Sequence, residues 1–493
     1  MVPGPRASRV RYWLALMLAA GSGSAARAAT PPAAPVGQEA AAPVPAAAPS
    51  WFARPPFTLA AGSGESASGW SLTFFGFVEL DALADSTRSY DDAIGPTLVA
   101  RSDTYEGRTG RTQFSVRNTR LGLALAAPVV GGVRPSAVLE GDFFGAAPSA
   151  HAGPASASEA SFFDNPSFRI RHAYVRLESA PVEVVAGQTY ELFGWQNLYF
   201  PCTATFLGVP NQVFARAPQL RFGHTFNAGG AISVDVAAAA VRPAQRDSQI
   251  PDGQAGVRLA VNGWKGIATQ GNVSTTAQPL SVGVSAVGRS FKVDAFTPPP
   301  TQASNTTVGW GVSVDALIPL IPARDAGDRG NRLTVIGSFV MGSGIADLIT
   351  SGGGARFPTL PNPAQANPPP LYAPNVDDGL VSFDTQGVLH AIEWRAVRAG
   401  LEYHLPGSGR LFFAANITQS TSSNIAKLFP RGGAEIELLG SVADTSRYAD
   451  ANVFWDATPS VRLGLSGQYT EARYLDGNRP HNLRGTAQAL FVF

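Results

Sequence analysis

Residues 307–317, "TVGWGVSVDAL", alternate strictly between two kinds of side chain. Every second position is apolar, namely Val308, Trp310, Val312, Val314 and Ala316. The positions between them are small or polar, namely Thr307, Gly309, Gly311, Ser313 and Asp315. Because successive side chains of a β-strand point to opposite faces, this stretch predicts a strand with apolar surroundings on one side and polar surroundings on the other.

The same alternation recurs from Trp70 onward, for example in 72–82, 411–418, 461–470 and the stretch "RGTAQALFVF" at 484–493. We count about sixteen such segments of about ten residues, which is the pattern of a membrane-spanning barrel. Short connections such as 179–181 and 406–409 alternate with long ones such as 85–111 and 343–387. The pattern predicts an all-β fold, a transmembrane antiparallel β-barrel of about 16 strands. A large soluble β-sandwich or propeller would need stacked sheets or a fixed-period repeat, and the sequence shows no such repeat.

Two regions fit this scheme less well than the rest. The segments 254–262 and 279–290 are separated by 263–278, which is longer than a short turn should be. The segment 388–405 is long enough for two strands. We interpret it as one strand, because bacterial single-chain barrels have an even number of strands.

The first residues predict export from the cytoplasm. Residues 1–28 combine arginines, a short apolar run and a small-residue cleavage site, which is typical of a signal peptide. Residues 29–69 are expected to form an Ala/Pro-rich periplasmic linker, and 70–493 the barrel domain. The expected location is the outer membrane of a Gram-negative bacterium, with the lipid bilayer, lipopolysaccharide and the outer-membrane assembly machinery as partners. Phe493 and Phe491 resemble the assembly signal that this machinery reads.

Composition argues against several other functions. The net charge is +1, so charge alone implies no polyanion and we expect no nucleic-acid partner. Cys202 is the only cysteine, which excludes an intrachain disulfide. We find no metal-ligand spacing, no cofactor motif and no catalytic signature around the histidines, so we expect neither a metal nor a cofactor, and no enzyme.

The connection at about 192–216 is long, aromatic and nearly uncharged, with Arg216 as its only charged residue. Its apolar content argues against full exposure to water. We therefore expect it to fold into the barrel as a constriction loop, with Trp195, Tyr199, Phe200 and Phe206 in it. The alternative is an ordinary extracellular loop.

Parity along the strands places many arginines on the lumen side or close to it. They are Arg120, Arg169, Arg171, Arg176, Arg221, Arg258, Arg289, Arg398, Arg462 and Arg484, to which Arg216 of the loop is added. Guanidinium groups bind carboxylates in a bidentate manner, so these are candidate anion-interacting residues. Acids also fall on the lumen side, namely Glu79, Asp81, Glu140, Asp142, Asp235, Asp315, Glu402 and Asp450. The alternative is that arginines and acids pair across strands and only fill a polar wall.

The alternation shifts by one position in 114–125 and in 168–178. A β-bulge would cause such a shift. A strand whose outer face meets another subunit instead of lipid would also cause it. The second reading favours a subunit seam around the second to fifth strands, and the residues alone leave both readings open.

Several motifs carry a family likeness. They are "FSVRNTRLGLAL" (114–125), "AVLEGDFFG" (137–145), "FRIRHAYVRLE" (168–178), "VVAGQTYELFGW" (184–195) and "NQVFARAPQLRFGHTF" (211–226). In this order they resemble the DcaP-type porins of Gram-negative outer membranes. The resemblance implies a sixteen-stranded homotrimer with an inward-folded third loop and a preference for small anionic solutes such as dicarboxylates. The rest of the chain resembles the family only in its barrel pattern.

These observations predict an outer-membrane porin, a water-filled channel for passive diffusion of small hydrophilic, anionic solutes. Two alternatives stay open. One is a non-selective or weakly cation-selective general porin, and the other is an outer-membrane barrel enzyme.

Overall fold

The computed structural model describes most of the predicted barrel. The described residues are 57–61, 69–94, 98–145, 167–179, 181–206, 208–294, 304–350, 376–377, 379–384, 388–428, 440 and 442–493. The predicted signal peptide and the linker up to residue 56 lie outside the described residues. So do parts of the predicted long loops, among them 146–166 and 351–375.

Twenty strands account for most of the described residues. They are β1 (Phe57–Ala61), β2 (Trp70–Asp85), β3 (Arg111–Ser115), β4 (Arg120–Ala126), β5 (Arg134–Asp142), β6 (Arg169–Ser179), β7 (Val182–Tyr190), β8 (Arg216–Phe226), β9 (Ile232–Val241), β10 (Asp252–Gln270), β11 (Ser274–Asp294), β12 (Ser304–Ile321), β13 (Arg332–Ser343), β14 (Val381–Phe383), β15 (Leu389–Ala391), β16 (Glu393–His404), β17 (Leu411–Ser422), β18 (Ala443–Thr458), β19 (Val461–Tyr474) and β20 (His481–Val492). The helices are short: α1 (Tyr105–Arg108), α2 (Ile425–Leu428) and 3₁₀ turns at Phe193–Trp195 and Ala346–Leu348.

Sixteen barrel strands follow from the pairing. Both β3 and β4 pair antiparallel with β2, so together they form one barrel strand. Each later barrel strand pairs with its neighbour in the chain, and β20 returns to pair with β2. β1 adds to the start of β2, and β14 and β15 form a small separate sheet. The predicted closed sixteen-stranded antiparallel barrel is thus confirmed.

The barrel is apolar outside and polar inside. Outward side chains such as Leu80 (50% exposed) and Val308 (67%) have no protein covering them. Inward polar side chains on the same strands, such as Glu79 and Ser313, are fully buried. This arrangement suits a lipid exterior, and a closed barrel leaves no unpaired strand edge within the bilayer.

No helix in the described part of the chain is long and apolar enough to cross a membrane.

Both breaks in alternation coincide with β-bulges. Glu140 pairs with His172 and Gly141 pairs with Ile170, so Arg171 is an extra residue on β6. Between Phe77 and Asp81 of β2 lie three residues, whereas the facing segment between Arg120 and Ser115 has four. One additional residue reverses the facing of every side chain beyond it. The bulges therefore account for the shifted pattern without a subunit seam.

Three predicted boundaries differ from the structure. The barrel does not close at Trp70, because Phe493 exchanges backbone hydrogen bonds with Gly76 (3.1 and 3.2 Å). Phe57–Ala61 forms β1 within the range predicted as linker. The segment 388–405 contributes one barrel strand, β16, as predicted, but this strand begins at Glu393 and the short loop strand β15 precedes it.

The predicted strands at 254–262 and 279–290 are much longer in the structure. β10 continues to Gln270 and β11 begins at Ser274, so most of the predicted turn at 263–278 is strand. A bulge between Val261 and Lys265 divides this pair into a barrel part and a terminal hairpin. The sequence did not predict this terminal hairpin as strand, because its residues are mostly polar or small and do not alternate as in a lipid-facing strand.

Candidate functional site

The loop between β7 and β8, residues 191–215, folds into the lumen, and we call it the constriction loop. Its first turn is bound to the wall formed by β10 and β11. The backbone N–H of Phe193 donates to Gln254 Oε1 (2.9 Å), and that of Gly194 donates to Ser285 Oγ (2.8 Å). Gly194 has φ of 78°, a conformation that favours glycine. The predicted inward fold of this loop is confirmed.

The same loop reaches the other side of the barrel. Thr203 Oγ1 donates to Asp450 of β18 (2.7 Å), and the backbone N–H of Ala204 donates to Asn452 Oδ1 (3.1 Å). Asn211 Nδ2 donates to Thr418 of β17 (3.1 Å). Because its first turn is fixed to one wall and residues 203–211 to another, the loop spans the lumen.

Aromatic residues of the constriction loop fill the space that small wall residues leave. Trp195 packs on Gly256 and Gly283, where a Cβ would lie 2.9 and 2.8 Å from the indole ring. Tyr199 is buried and its hydroxyl donates to Ser281 Oγ (3.1 Å). Phe206 is buried against Phe144, with ring centroids 5.5 Å apart. These two glycines face inward on the neighbouring strands β10 and β11, and their missing side chains leave room for the indole ring.

Phe200 packs against Phe214, another aromatic residue of the constriction loop, with ring centroids 5.5 Å apart. The loop therefore places all of its predicted aromatic residues in the lumen, three of them buried and Phe200 half-buried.

All eleven predicted arginines are buried or half-buried. Eight of them form ion pairs, which matches the reading of a paired polar wall. The pairs are Arg169–Asp142, Arg171–Glu140, Arg171–Asp142, Arg176–Glu183, Arg221–Glu183, Arg258–Asp235, Arg289–Asp252, Arg462–Asp456 and Arg484–Asp85, with N···O distances from 2.5 to 3.6 Å. Their charge is offset locally.

The other three arginines have no carboxylate within ion-pair distance among the described side chains. They are Arg120, Arg216 and Arg398. Arg120 lies over the Phe77 ring at 5.2 Å, and Arg216 lies over the rings of Phe214 (5.1 Å) and Tyr190 (5.8 Å). Arg398 donates to the Tyr199 carbonyl of the constriction loop (2.8 Å). Each retains one buried guanidinium nitrogen without a hydrogen-bond partner.

Some of the predicted lumen acids pair with arginines, whereas Glu79 and Asp81 do not form an ion pair among the described side chains. Glu140 and Asp142 hold Arg171. Glu79 accepts hydrogen bonds from Asn118 Nδ2 (2.6 Å) and Asn272 Nδ2 (2.8 Å) instead of pairing with an arginine. Both carboxylate oxygens of Asp81 are buried without a hydrogen-bond partner in the described structure.

A cavity of about 40 Å³ lies between the constriction loop and the β2 side of the wall. Its lining includes Arg120, Tyr190 and Phe206. A cavity of this size holds only a few water molecules. Arg120 therefore lies at the edge of the constriction loop. Arg398 lines a second, smaller cavity beside Tyr199.

Sequence reasoning missed one ionisable residue of this region, Glu191, which is the first residue of the constriction loop. Its carboxylate accepts a hydrogen bond from Gln254 Nε2 (2.5 Å). Burial, with the nearby Asp347 carboxylate, raises the pKa of Glu191 to about 7, although Arg289 opposes the shift. The position adjoins the predicted loop, but nothing in the sequence indicated that its side chain would be buried.

The described residues contain no group of histidine, cysteine and acidic side chains arranged to hold a metal ion. Cys202 is buried in the constriction loop, and burial raises the pKa of its thiol well above the ordinary value. A thiol in this state is a small packing residue and a poor nucleophile.

Comparison by sequence matches no family model and no curated protein. Comparison by structure matches several bacterial barrels. The outer-membrane channel DcaP of Acinetobacter baumannii has a TM-score of 0.59 and 18% identity, covering 87% of this chain and 99% of that one. OprB of Pseudomonas putida has a TM-score of 0.46, 13% identity and coverage of 85% and 94%. An anion-selective porin from Comamonas acidovorans has a TM-score of 0.44, 11% identity and coverage of 86% and 100%.

At these identities the likeness concerns the fold, and of these three structures the DcaP channel alone has a TM-score above 0.5. The match extends over nearly the whole of that channel, and it agrees with the closed barrel, its apolar exterior and its inward loop. By fold, the chain is a closed sixteen-stranded antiparallel β-barrel similar to the DcaP channel.

Proposed function

We propose that the protein is a passive diffusion channel for small hydrophilic solutes and that it prefers anions, in particular small carboxylates. The observation that carries the proposal is the set of three arginines without carboxylate partners at the constriction loop, Arg120, Arg216 and Arg398. No bond chemistry is needed for such a role, so the protein is not expected to be an enzyme.

The electrostatic reason is local. A guanidinium group stays charged at any physiological pH, and one without a carboxylate partner presents its full charge to a passing solute. Within a narrow, low-dielectric passage, a fixed positive charge lowers the energy of an anion and raises that of a cation. The guanidinium groups of Arg120 and Arg216 are only half-buried, so they can donate to a carboxylate oxygen of a solute.

A second candidate is a general porin of weak selectivity. It is favoured by the pairing of the other eight arginines, whose charge is already offset by wall carboxylates.

We also propose a homotrimer in the outer membrane, with lipid and lipopolysaccharide around it. The support is the resemblance of the N-terminal motifs to trimeric porins and the apolar exterior of the barrel. Delivery by the outer-membrane assembly machinery through Phe491 and Phe493 belongs to the same proposal, as does the signal peptide at 1–28.

The test is ion selectivity in planar bilayers under a salt gradient. We expect the wild-type protein to show a reversal potential of anion preference. The double variant Arg120→Gln/Arg216→Gln should shift that potential toward zero or beyond it, because two uncompensated positive charges are lost. The control is Arg324→Gln, since Arg324 is 88% exposed in the turn between β12 and β13. Cation preference in the wild type would support the second candidate, and a folded protein without conductance would contradict both.

A further inference from the structure

The terminal hairpin of β10 and β11 crosses the barrel lumen. We use the name lumen hairpin for residues 265–278. β10 and β11 are the eighth and ninth of the sixteen barrel strands, whereas β19, β20 and β2 are the fifteenth, sixteenth and first. A side chain at the tip of the lumen hairpin that contacts the latter strands must therefore lie on the opposite side of the cylinder.

The tip makes those contacts. Asn272 Nδ2 donates to Glu79 Oε1 of β2 (2.8 Å) and to Gln488 Oε1 of β20 (3.3 Å). Arg462 of β19 donates to the carbonyl of Asn272 (2.9 Å) and to Thr275 Oγ1 (3.0 Å). On the way across, Thr269 donates from its backbone and its hydroxyl to Glu402 of β16 (2.7 and 2.6 Å).

A bend at the end of the barrel directs the hairpin inward. Strand pairing of β10 with β9 ends at Val261, and the bulge leaves 262–264 out of register. Asn262 is held by the carbonyl of Gly230 (2.8 Å), and Trp264 Nε1 donates to the carbonyl of Pro319 (2.8 Å). Beyond this bend Ile267, Thr269 and Ser274 are fully buried, as expected of a segment surrounded by wall and loop.

The hairpin and the constriction loop are joined to each other. The backbone N–H of Gly271 donates to the carbonyl of Pro201, and that of Thr203 donates to the carbonyl of Gly271, both at 3.0 Å. Gln270 Nε2 donates to the carbonyl of Asn197 (2.5 Å). The small cavity beside Arg120 is lined by both elements, by Phe200 and Phe206 of the loop and by Gln270 and Asn272 of the hairpin.

We propose that the lumen hairpin is a second constriction element, which closes the lumen from the short-turn end and limits the passage of solutes together with the constriction loop. The polar bonds at its tip hold it in place, and they are of a kind that exchanges readily with water when the hairpin withdraws. Arg120 then lies at the junction of the two elements, where a solute must pass. The inference rests on the proposed channel function.

The test is a register-preserving shortening of the hairpin. Ala268 pairs with Thr276, and Thr269 pairs with Thr275. Deleting these two pairs withdraws the tip by about 7 Å while every remaining side chain keeps its face. We expect single-channel conductance in planar bilayers to rise at least about twofold, because conductance follows the open cross-section. Uptake of sugars in liposome swelling should rise in parallel.

A second variant tests the same idea without a deletion. Asn272→Ala keeps the length and removes the bonds to Glu79 and Gln488, and it should increase the frequency of openings to a higher conductance level. The matched control is Gln249→Ala in the exposed β9–β10 loop, which should behave like the wild type.

The outcomes separate this inference from the proposed function. Equal conductance of the wild type, the shortened variant and Asn272→Ala, with all three folded, would show that the hairpin does not limit passage. If the wild type is silent and both variants conduct, the hairpin blocks passage as proposed, but the proposed passive channel function of the wild type is contradicted. Silence of all three folded proteins would overturn the channel function itself.

Discussion

At the scale of single residues, the buried carboxyl group of Glu191 makes the attachment of the constriction loop to the wall sensitive to pH. Arg289 is the nearest positive group, but it is already bound to Asp252 (2.8 Å) and Asp347 (2.5 Å). Glu191 is therefore buried with a neutral partner, Gln254, and with two carboxylates nearby. Ionisation of Glu191 must weaken the attachment of the loop to β10 and β11.

The sign of the effect follows from the pKa. The pKa of Glu191 in the folded protein is about 7, above its ordinary value of 4.5. The docked loop thus binds a proton that a free loop releases, and its stability falls as pH rises from 4.5 to 7. The loss is about 3 kcal/mol at most, since one pKa unit corresponds to about 1.4 kcal/mol.

We therefore expect conductance to increase between pH 5 and pH 8 in planar bilayers. Glu191→Gln keeps an acceptor for Gln254 and cannot ionise. The conductance of this variant should therefore be the same at pH 8 as at pH 5. The same pH dependence in both proteins would assign the titration to another group.

At the scale of elements, β20 closes the barrel by pairing with β2, and Phe493, the residue after β20, is bound to β2 through its backbone and its ring. Phe493 exchanges backbone hydrogen bonds with Gly76, and its ring stacks on Phe74 with a centroid distance of 5.3 Å. The ring thus covers the seam at which the first and last strands meet.

Replacement of this ring should impair closure of the barrel. For Phe493→Ala we expect less folded protein in the outer-membrane fraction and more unfolded protein in the periplasm, with signal-peptide removal unchanged. Fractionation with heat-modifiable gel migration measures both. The control is Phe226→Ala, since Phe226 is also an exposed aromatic residue at a short-turn end (53%) but lies far from the seam. Equal loss in both variants would indicate a general effect of aromatic residues at that end.

At the scale of the whole molecule, the outer wall around β3 to β6 is the candidate subunit seam. Phe114 (62% exposed) and Leu139 (46%) lie on it without protein cover in the single chain. The bulges remove one argument for a seam, because they explain the shifted alternation. The trimer proposal now depends on the resemblance and on this apolar surface.

Polar substitutions separate a seam from a lipid-facing wall. We expect the wild type to migrate as a trimer in mild detergent and Phe114→Gln/Leu139→Gln to dissociate to monomers. The matched control is Val314→Gln/Leu401→Gln, on the wall away from β3 to β6, with 40% and 45% exposure. Light scattering coupled to size exclusion gives the mass. A monomeric wild type would contradict the trimer, and dissociation of the control alone would place the seam elsewhere.

The sequence by itself determined the barrel, its strand count and the facing of its side chains. These depend on a local period of two and on an even number of strands, which are visible in segments such as 307–317. The constriction loop was also visible, since an apolar connection cannot stay in water. The alternation also predicted which arginines face the lumen. It does not show which of these arginines have a carboxylate close enough for an ion pair.

Only the tertiary structure decided the contents of the lumen. Pairing of Arg484 with Asp85, or the contact of Asn272 with Glu79, joins residues that are distant in the chain. The lumen hairpin was visible only as an over-long turn, because its polar side chains bind partners in the interior instead of following the lipid-facing pattern. Local periodicity reports which face meets lipid, whereas the partners within the lumen depend on how the cylinder closes.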